Sequence, residues 1–164
     1  MKTILHWKKA PFNSTSRIYS AKGEIGQLRE NTWKQMAEGE LNNRKYQFRK
    51  KGFFNQHTEI VDPETNYIVG NIEYNSLRSS ADITYLGQNF RWKYDNIWQT
   101  RWSITDERNH RIDFHGRMIS GTIEGVDITE FLVLSGLFVT NYFIQSTLVI
   151  FVAIFVPLIA SLSH

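Results

Sequence analysis

A long segment near the C-terminus, Phe131–Ser163, contains no Lys, Arg, Asp or Glu, whereas the preceding residues carry all such side chains in the chain. A helix that is apolar on every side is buried in protein or in lipid. At 1.5 Å per residue, a helix over Phe131–Leu162 would be about 48 Å long. A bilayer core needs only about 20 residues. The segment is therefore too long for one span, and we expect it to have two consecutive roles.

Small and amide side chains in the first half favour burial inside protein, where they find close contacts and hydrogen-bond partners. We predict a helix over about Ile128–Gln145, with Asp127 as N-cap and Glu130 completing a capping-box-like start. Residues 146–164 are predicted to be a membrane anchor, because Leu148–Leu162 lacks amides and charges and is rich in β-branched residues. Pro157 is expected to kink or shorten that part. An oligomer seam and a fully buried arrangement remain alternatives for it.

The first 125 residues alternate between apolar and polar side chains, as half-buried strands do. "KYQFRKKGFF" and "NFRWKYDNIW" show this pattern, and the turn signals "DPETN", "LGQN" and "DERNH" separate such stretches. Flanking strands are expected at Ile4–Trp7, Ile18–Ser20 and Ile119–Glu124. The pattern predicts about ten to twelve antiparallel strands.

A shift of 44 residues superimposes one half of this region on the other and preserves apolar and turn positions. The matched pairs are Ala37 and Ala81, Glu38 and Asp82, Tyr46 and Phe90, Phe48 and Trp92, Ile60 and Ile104, Asp62 and Asp106, and Ile68 and Ile112. A sheet with this many strands tends to close, because open edges invite aggregation and twist accumulates. We therefore predict a mainly β fold: a closed or nearly closed barrel around the hydrophobic helix, which fills an otherwise wide lumen.

A basic cluster is the strongest candidate for a binding surface. It consists of Arg44, Lys45, Arg49, Lys50 and Lys51. A polybasic hairpin beside an anchored helix would attract anionic headgroups, at about 1 kcal/mol per basic residue in contact. A solvated strand face is the structural alternative. Nucleic acid is not expected as a partner, because the aromatic residues alternate away from the cations. Phe53 and Phe54 are predicted to lie in the core, by alignment with Ile97 and Trp98.

Other features argue against catalysis or a cofactor. The chain has no cysteine, and no nucleophile elbow, phosphate-binding loop or dinucleotide fingerprint is present. His110, Asp113 and His115 are too few to predict a metal site. The N-terminal apolar run is too short for a signal peptide. With a basic body before the anchor, we expect the body to face the cytoplasm.

An aromatic-rich strand region followed by a C-terminal hydrophobic helix resembles the tubby C-terminal-like superfamily, which includes the LURP-one-related proteins and the phospholipid scramblases. The likeness lies in "KYQFRKKGFF", "TEIVDPETNYIVGNIEYN", "ITYLGQNFRWKYDNIWQTRWSITDERNHRIDF" and "EFLVLSGLFVTNY". The resemblance implies a twelve-stranded barrel around a central helix and an association with membranes. Neither a phosphoinositide-ligand motif nor a calcium-binding segment can be transferred to this sequence. The apolar run after Gln145 departs from the superfamily pattern.

Together these observations predict a membrane-tethered, non-enzymatic barrel that contacts anionic lipid or a protein partner through a basic surface. One alternative is a scramblase-like or transport-associated protein whose tail joins a multi-helix assembly. The other is a soluble barrel that holds a small apolar ligand, which requires a lumen free of the helix.

Overall fold

Twelve strands and one helix make up the part of the chain that the computed structural model describes, residues 1–52, 57–75, 77 and 79–162. The strands are β1 (Thr3–Lys9), β2 (Thr15–Ser20), β3 (Gly23–Asn31), β4 (Met36–Leu41), β5 (Arg44–Lys51), β6 (His57–Val61), β7 (Ile68–Asn75), β8 (Ser80–Tyr85), β9 (Gln88–Tyr94), β10 (Arg101–Asp106), β11 (Arg111–Arg117) and β12 (Ser120–Gly125). The helix α1 (Glu130–Leu162) follows them.

Each strand pairs antiparallel with the next along the chain, and β1 pairs with β12 to close the barrel. The closing register runs from Thr3 opposite Gly125 to Lys8 opposite Ser120. Closure removes free strand edges, which would otherwise present unpaired backbone groups to other chains. The predicted closed antiparallel barrel around a C-terminal helix is confirmed.

The internal repeat corresponds to two four-stranded meanders, β4–β7 and β8–β11. Ala37 and Ala81, at matching positions of the first strands, are both buried. The matching turns share a hydrogen bond. The Oδ1 atom of Asp62 accepts from the backbone amide of Glu64, and the Oδ1 atom of Asp106 accepts from the backbone amide of Arg108. The last predicted pair is not equivalent in its environment, because Ile68 is 60% exposed and Ile112 is 4% exposed.

The first half of α1 fills the lumen, as predicted, and is buried from Phe131 to Phe143. Aromatic rings of the helix stack on rings of the wall along the barrel axis. The stacked pairs are Phe131 with Tyr85 at 3.8 Å, Phe138 with Phe48 at 4.6 Å, Tyr142 with Tyr74 at 3.6 Å, and Phe143 with Trp92 at 5.0 Å between ring centroids. Ring pairs of this kind stabilise a core beyond their buried area.

The start of α1 differs from the expectation. Thr129 caps the helix: its hydroxyl accepts from the amide of Leu132 at 3.4 Å, and its carbonyl accepts from Val133. Asp127 lies two residues earlier in a left-handed conformation with φ of 54°, so it turns the chain from β12 towards the lumen instead of capping. Glu130 accepts a hydrogen bond from the side chain of Asn42 in the turn between β4 and β5.

The predicted plug and anchor belong to one continuous helix, which runs through Pro157. The environment of the helix, and not its backbone, changes near Gln145: the residues before it are buried, and those from Thr147 to Leu162 are exposed. Proline lacks an amide donor, so the carbonyl of Ala153 has no hydrogen bond from position 157.

Close packing at Gly136 predicts a stability effect. A Cβ at this position would collide with the ring of Phe114, which is fully buried and stacks on Trp102 at 5.7 Å. Gly136→Ala should therefore lower the free energy of unfolding by about 1–3 kcal/mol, measured by denaturant unfolding of the full chain in detergent. Ser135→Ala is the matched control: the Ser135 hydroxyl is buried without a partner among the described residues, so its loss should be neutral or stabilising. Equal destabilisation by both would contradict this packing.

Alkaline pH should weaken the barrel through its buried tyrosines. Burial raises the pKa of Tyr94 to about 12, above that of an unfolded tyrosine at about 10. The unfolded chain releases this proton first, so the stabilising contribution is present below pH 10 and is lost as pH rises towards 12. Tyr94→Phe should lose less stability than wild type between pH 10 and 12 in chemical unfolding, whereas Tyr67→Phe, at an exposed turn, should follow wild type.

Candidate membrane interface

The direction of α1 defines two different ends of the barrel. The helix starts just after β12 ends, enters the lumen there, and leaves at the end where β12 begins. Because the strands alternate in direction, every second connection surrounds the emerging helix. We call the described residues of these connections the exit loops: residues 10–14, 32–35, 52, 77, 79, 95–100 and 118–119. The other connections lie at the entry end.

Large apolar side chains project from the exit loops, although turn residues are usually small or polar. Trp33 is 99% exposed and Trp98 is 78% exposed. We call the complete set the apolar rim: Phe12, Trp33, Leu77, Ile97, Trp98, Met118 and Ile119, all of them exposed. Phe53 and Phe54, which follow residue 52 in the sequence, lie outside the described residues. The apolar rim thus surrounds the point where the apolar helix emerges.

The helix beyond the rim is itself exposed along its whole length. Leu148, Val152 and Ile159 are each more than half exposed, as are most neighbouring apolar side chains. The whole helix, Glu130–Leu162, is long and apolar enough to cross a membrane, judged by length and composition alone. The apolar surface of the rim and that of the helix are therefore adjacent.

Charges are distributed unequally between the two ends. Exposed turns at the entry end carry Glu64, Glu107 and Asp127 together with the cations Lys22 and Arg108. The apolar Tyr67 and Leu86 are also exposed there. Cations without an ion pair among the described residues flank the exit loops: Lys9, Lys34, Arg101 and Arg117. Asp95 is the acidic residue in the described parts of the exit loops, and Arg111 neutralises it at 2.8 Å. The exit end therefore combines apolar and cationic side chains, which suits an anionic membrane surface.

The five residues of the predicted basic cluster do not form one patch, because their side chains point to different sides of the barrel wall. Lys45, Arg49 and Lys51 lie on the outside of β5, in the alternate positions to the buried Tyr46 and Phe48. Arg44 lies at the entry mouth of the lumen, and Lys50 points inward. Two outer cations already have partners: Lys51 lies 3.6 Å from Glu59, and Arg49 donates to Asn66. Lipid binding by these five residues stays a prediction.

Lys50 belongs to a polar cluster that holds α1 where it leaves the lumen. Its ammonium group donates to Oε1 of Gln145 at 3.2 Å, and the amide of Gln145 donates to Glu30 on β3. Burial lowers the pKa of Lys50, and the nearby Glu30 partly opposes this effect. The cluster thus connects two wall strands to the helix at the boundary between its buried and exposed halves.

Two interpretations of single residues are corrected or left open. Ile97 and Trp98 were the basis for placing Phe53 and Phe54 in the core, but both are exposed on an exit loop. The alignment therefore no longer supports a core position for the phenylalanines, which themselves lie outside the described residues. The histidine cluster is ordinary surface: His110 contacts Asp106 at 3.0 Å, and Asp113 pairs with Arg111 at 2.7 Å.

Comparisons with known proteins identify no relative: no family model, no curated protein and no solved structure matches this chain. The resemblance to the tubby C-terminal-like superfamily therefore stays a prediction. Within the part of the chain that the structure describes, no group of three or more His, Asp or Glu side chains is placed to hold a metal ion.

The chain's lack of cysteine allows a direct test of the apolar rim. Single replacements Trp33→Cys and Leu77→Cys, labelled with a polarity-sensitive fluorophore, should show a blue-shifted emission when the full chain is reconstituted into vesicles. Aromatic and apolar side chains at this position would sit at the headgroup level. Leu86→Cys at the entry end is the control and should report water. Identical emission at all three sites would contradict an oriented barrel.

Proposed function

We propose that this protein is a membrane-tethered, non-enzymatic barrel whose exit end rests on an anionic bilayer. The exposed half of α1 inserts into the bilayer, the apolar rim enters the interfacial layer, and the surrounding cations contact headgroups. One observation carries the proposal: the apolar helix leaves the barrel at the same end as the exposed apolar side chains of successive exit loops. Exposed apolar patches of this kind mark interaction sites.

The length of the exposed helix supports a close approach of the barrel to the membrane. The segment Leu148–Leu162 is about 22 Å long at 1.5 Å per residue, shorter than a hydrocarbon core of about 30 Å. Short apolar helices adapt by thinning the bilayer or by drawing their flanking residues inward. A rim of apolar loops at the base of the helix lets the barrel end enter the interface, because its side chains need not stay in water.

The orientation follows from the same charges. Basic residues next to a membrane segment favour the cytoplasmic side, and Lys9, Lys34, Arg101 and Arg117 flank the exit end. We therefore propose a cytoplasmic body. A ligand carried in the lumen is less consistent with the packing, since it would have to displace the buried half of α1.

Truncation separates the two halves of α1. A chain that ends at Gln145 retains the lumenal aromatic contacts and the polar cluster with Lys50 and Glu30. It should fold into a soluble barrel and be released by carbonate from membranes that retain the full chain. The measurements are circular dichroism, thermal unfolding and membrane fractionation. Aggregation of the truncated chain would place the exposed half in the protein core, and full retention after carbonate would remove its role as anchor.

Charge reversal identifies which cations contact lipid. In the truncated chain, Lys34→Glu with Arg117→Glu should weaken binding to phosphatidylserine vesicles by at least about tenfold at low salt, since each contact contributes about 1 kcal/mol. The matched control is Lys45→Glu with Arg49→Glu, on the outer wall of β5. A larger effect of this control pair would assign lipid contact to the outer face of β5 instead of the exit end.

A further inference from the structure

A lateral groove lies between the exit end of the barrel and α1. Its volume is about 890 Å³, within the range of pockets that hold small molecules. Its outer wall comes from two exit loops and includes Trp98, Met118 and Ile119. Trp102 lines it from the barrel side. The groove thus opens at the end of the barrel where the helix emerges.

One face of α1 forms the other side of the groove. Thr140, Ile144 and Leu148 follow one another at spacings of four residues, and Thr147 lies three residues after Ile144, so the four side chains share a face. The hydroxyls of Thr140 and Thr147 donate to the carbonyls of Gly136 and Phe143 within the helix. They therefore need no water in the groove. The helix face offers hydrocarbon surface without unsatisfied polar groups.

Arg117 is the polar group at this groove that suits the head of a lipid. Arg117, at the end of β11, is exposed and has no ion pair among the described residues. An arginine of this kind binds a phosphate group bidentately.

We propose that this groove binds one phospholipid of the bilayer, with an acyl chain between the exit loops and α1 and its phosphate at Arg117. This inference rests on the proposed function, because the groove meets hydrocarbon only when the exit end lies on a membrane. Water in an apolar groove of this size is unfavourable, so a chain from the surrounding bilayer replaces it. The groove is continuous with the exposed helix surface, and this continuity identifies a lipid as its occupant.

The test measures lipid retained by the full chain after extraction into detergent, by native mass spectrometry with added phosphatidylcholine or diacylglycerol. Wild type should retain one phosphatidylcholine and much less diacylglycerol, which lacks the phosphate. Ile119→Trp and Ile144→Trp fill the groove and should each reduce retention at least fivefold. Leu86→Trp at the entry end and Val152→Trp on the exposed helix are matched controls that should retain lipid. Arg117→Gln should lower phosphatidylcholine retention to the diacylglycerol level, whereas Arg108→Gln at the entry end should not.

Two results would overturn the groove as a lipid site: no retained phospholipid in wild type, or equal loss in the groove and control variants. Ile119 lies in a hairpin turn and is half exposed, so Ile119→Trp keeps the test valid if Ile144→Trp fails to fold, as checked by circular dichroism. Carbonate washing of reconstituted vesicles distinguishes the two proposals. A chain that stays in the membrane without groove lipid contradicts only this inference, whereas a chain released by carbonate contradicts the proposed function.

Discussion

The packing of α1 inside the barrel is the contact on which the rest of the structure depends. Twelve strands enclose a lumen too wide for wall side chains alone to fill, and an apolar helix cannot remain bare in water. The aromatic rings of α1 between Phe131 and Phe143 stack on rings of the wall, so they fill the lumen and bury the apolar helix. Gly136 removes side-chain volume where the helix passes Phe114. The wall and the helix are therefore stable only together.

This packing also determines at which end of the barrel the exposed half of α1 lies. Because the lumen holds only the first half of α1, the remaining half must leave the barrel at one end. The polar cluster of Lys50, Gln145 and Glu30 marks this boundary. The exit loops surround it with the exposed apolar rim. The exposed half of α1 and the apolar rim therefore share one end of the barrel.

Much of the fold could be predicted from residue patterns, and the reason is local. Side chains along a strand alternate with a period of two, so the inward face of each strand can be predicted from its own sequence alone. The 44-residue repeat predicted two similar meanders whose strands and turns match position by position. The helix start was placed too early, because Asp127 is a good cap by residue type but adopts a left-handed turn conformation. The cap is instead Thr129, whose role depends on where the chain enters the lumen.

The sequence by itself determined the approximate number of strands, most inward and outward positions within them, and the change within α1 from buried to exposed, because these follow from hydrophobic periodicity and segment length. Only the tertiary structure decided which side chains share a surface. Arg44–Lys51 looks like one basic patch, yet the pleat directs Lys50 inward and Lys45 outward. Conversely, Phe12, Trp33 and Trp98 are far apart in sequence and meet at one end. Alternate turns of a meander lie at the same end of a sheet, so the sequence could have predicted that these residues share an end. Only the closure of the barrel around α1 shows that the apolar helix emerges at this end.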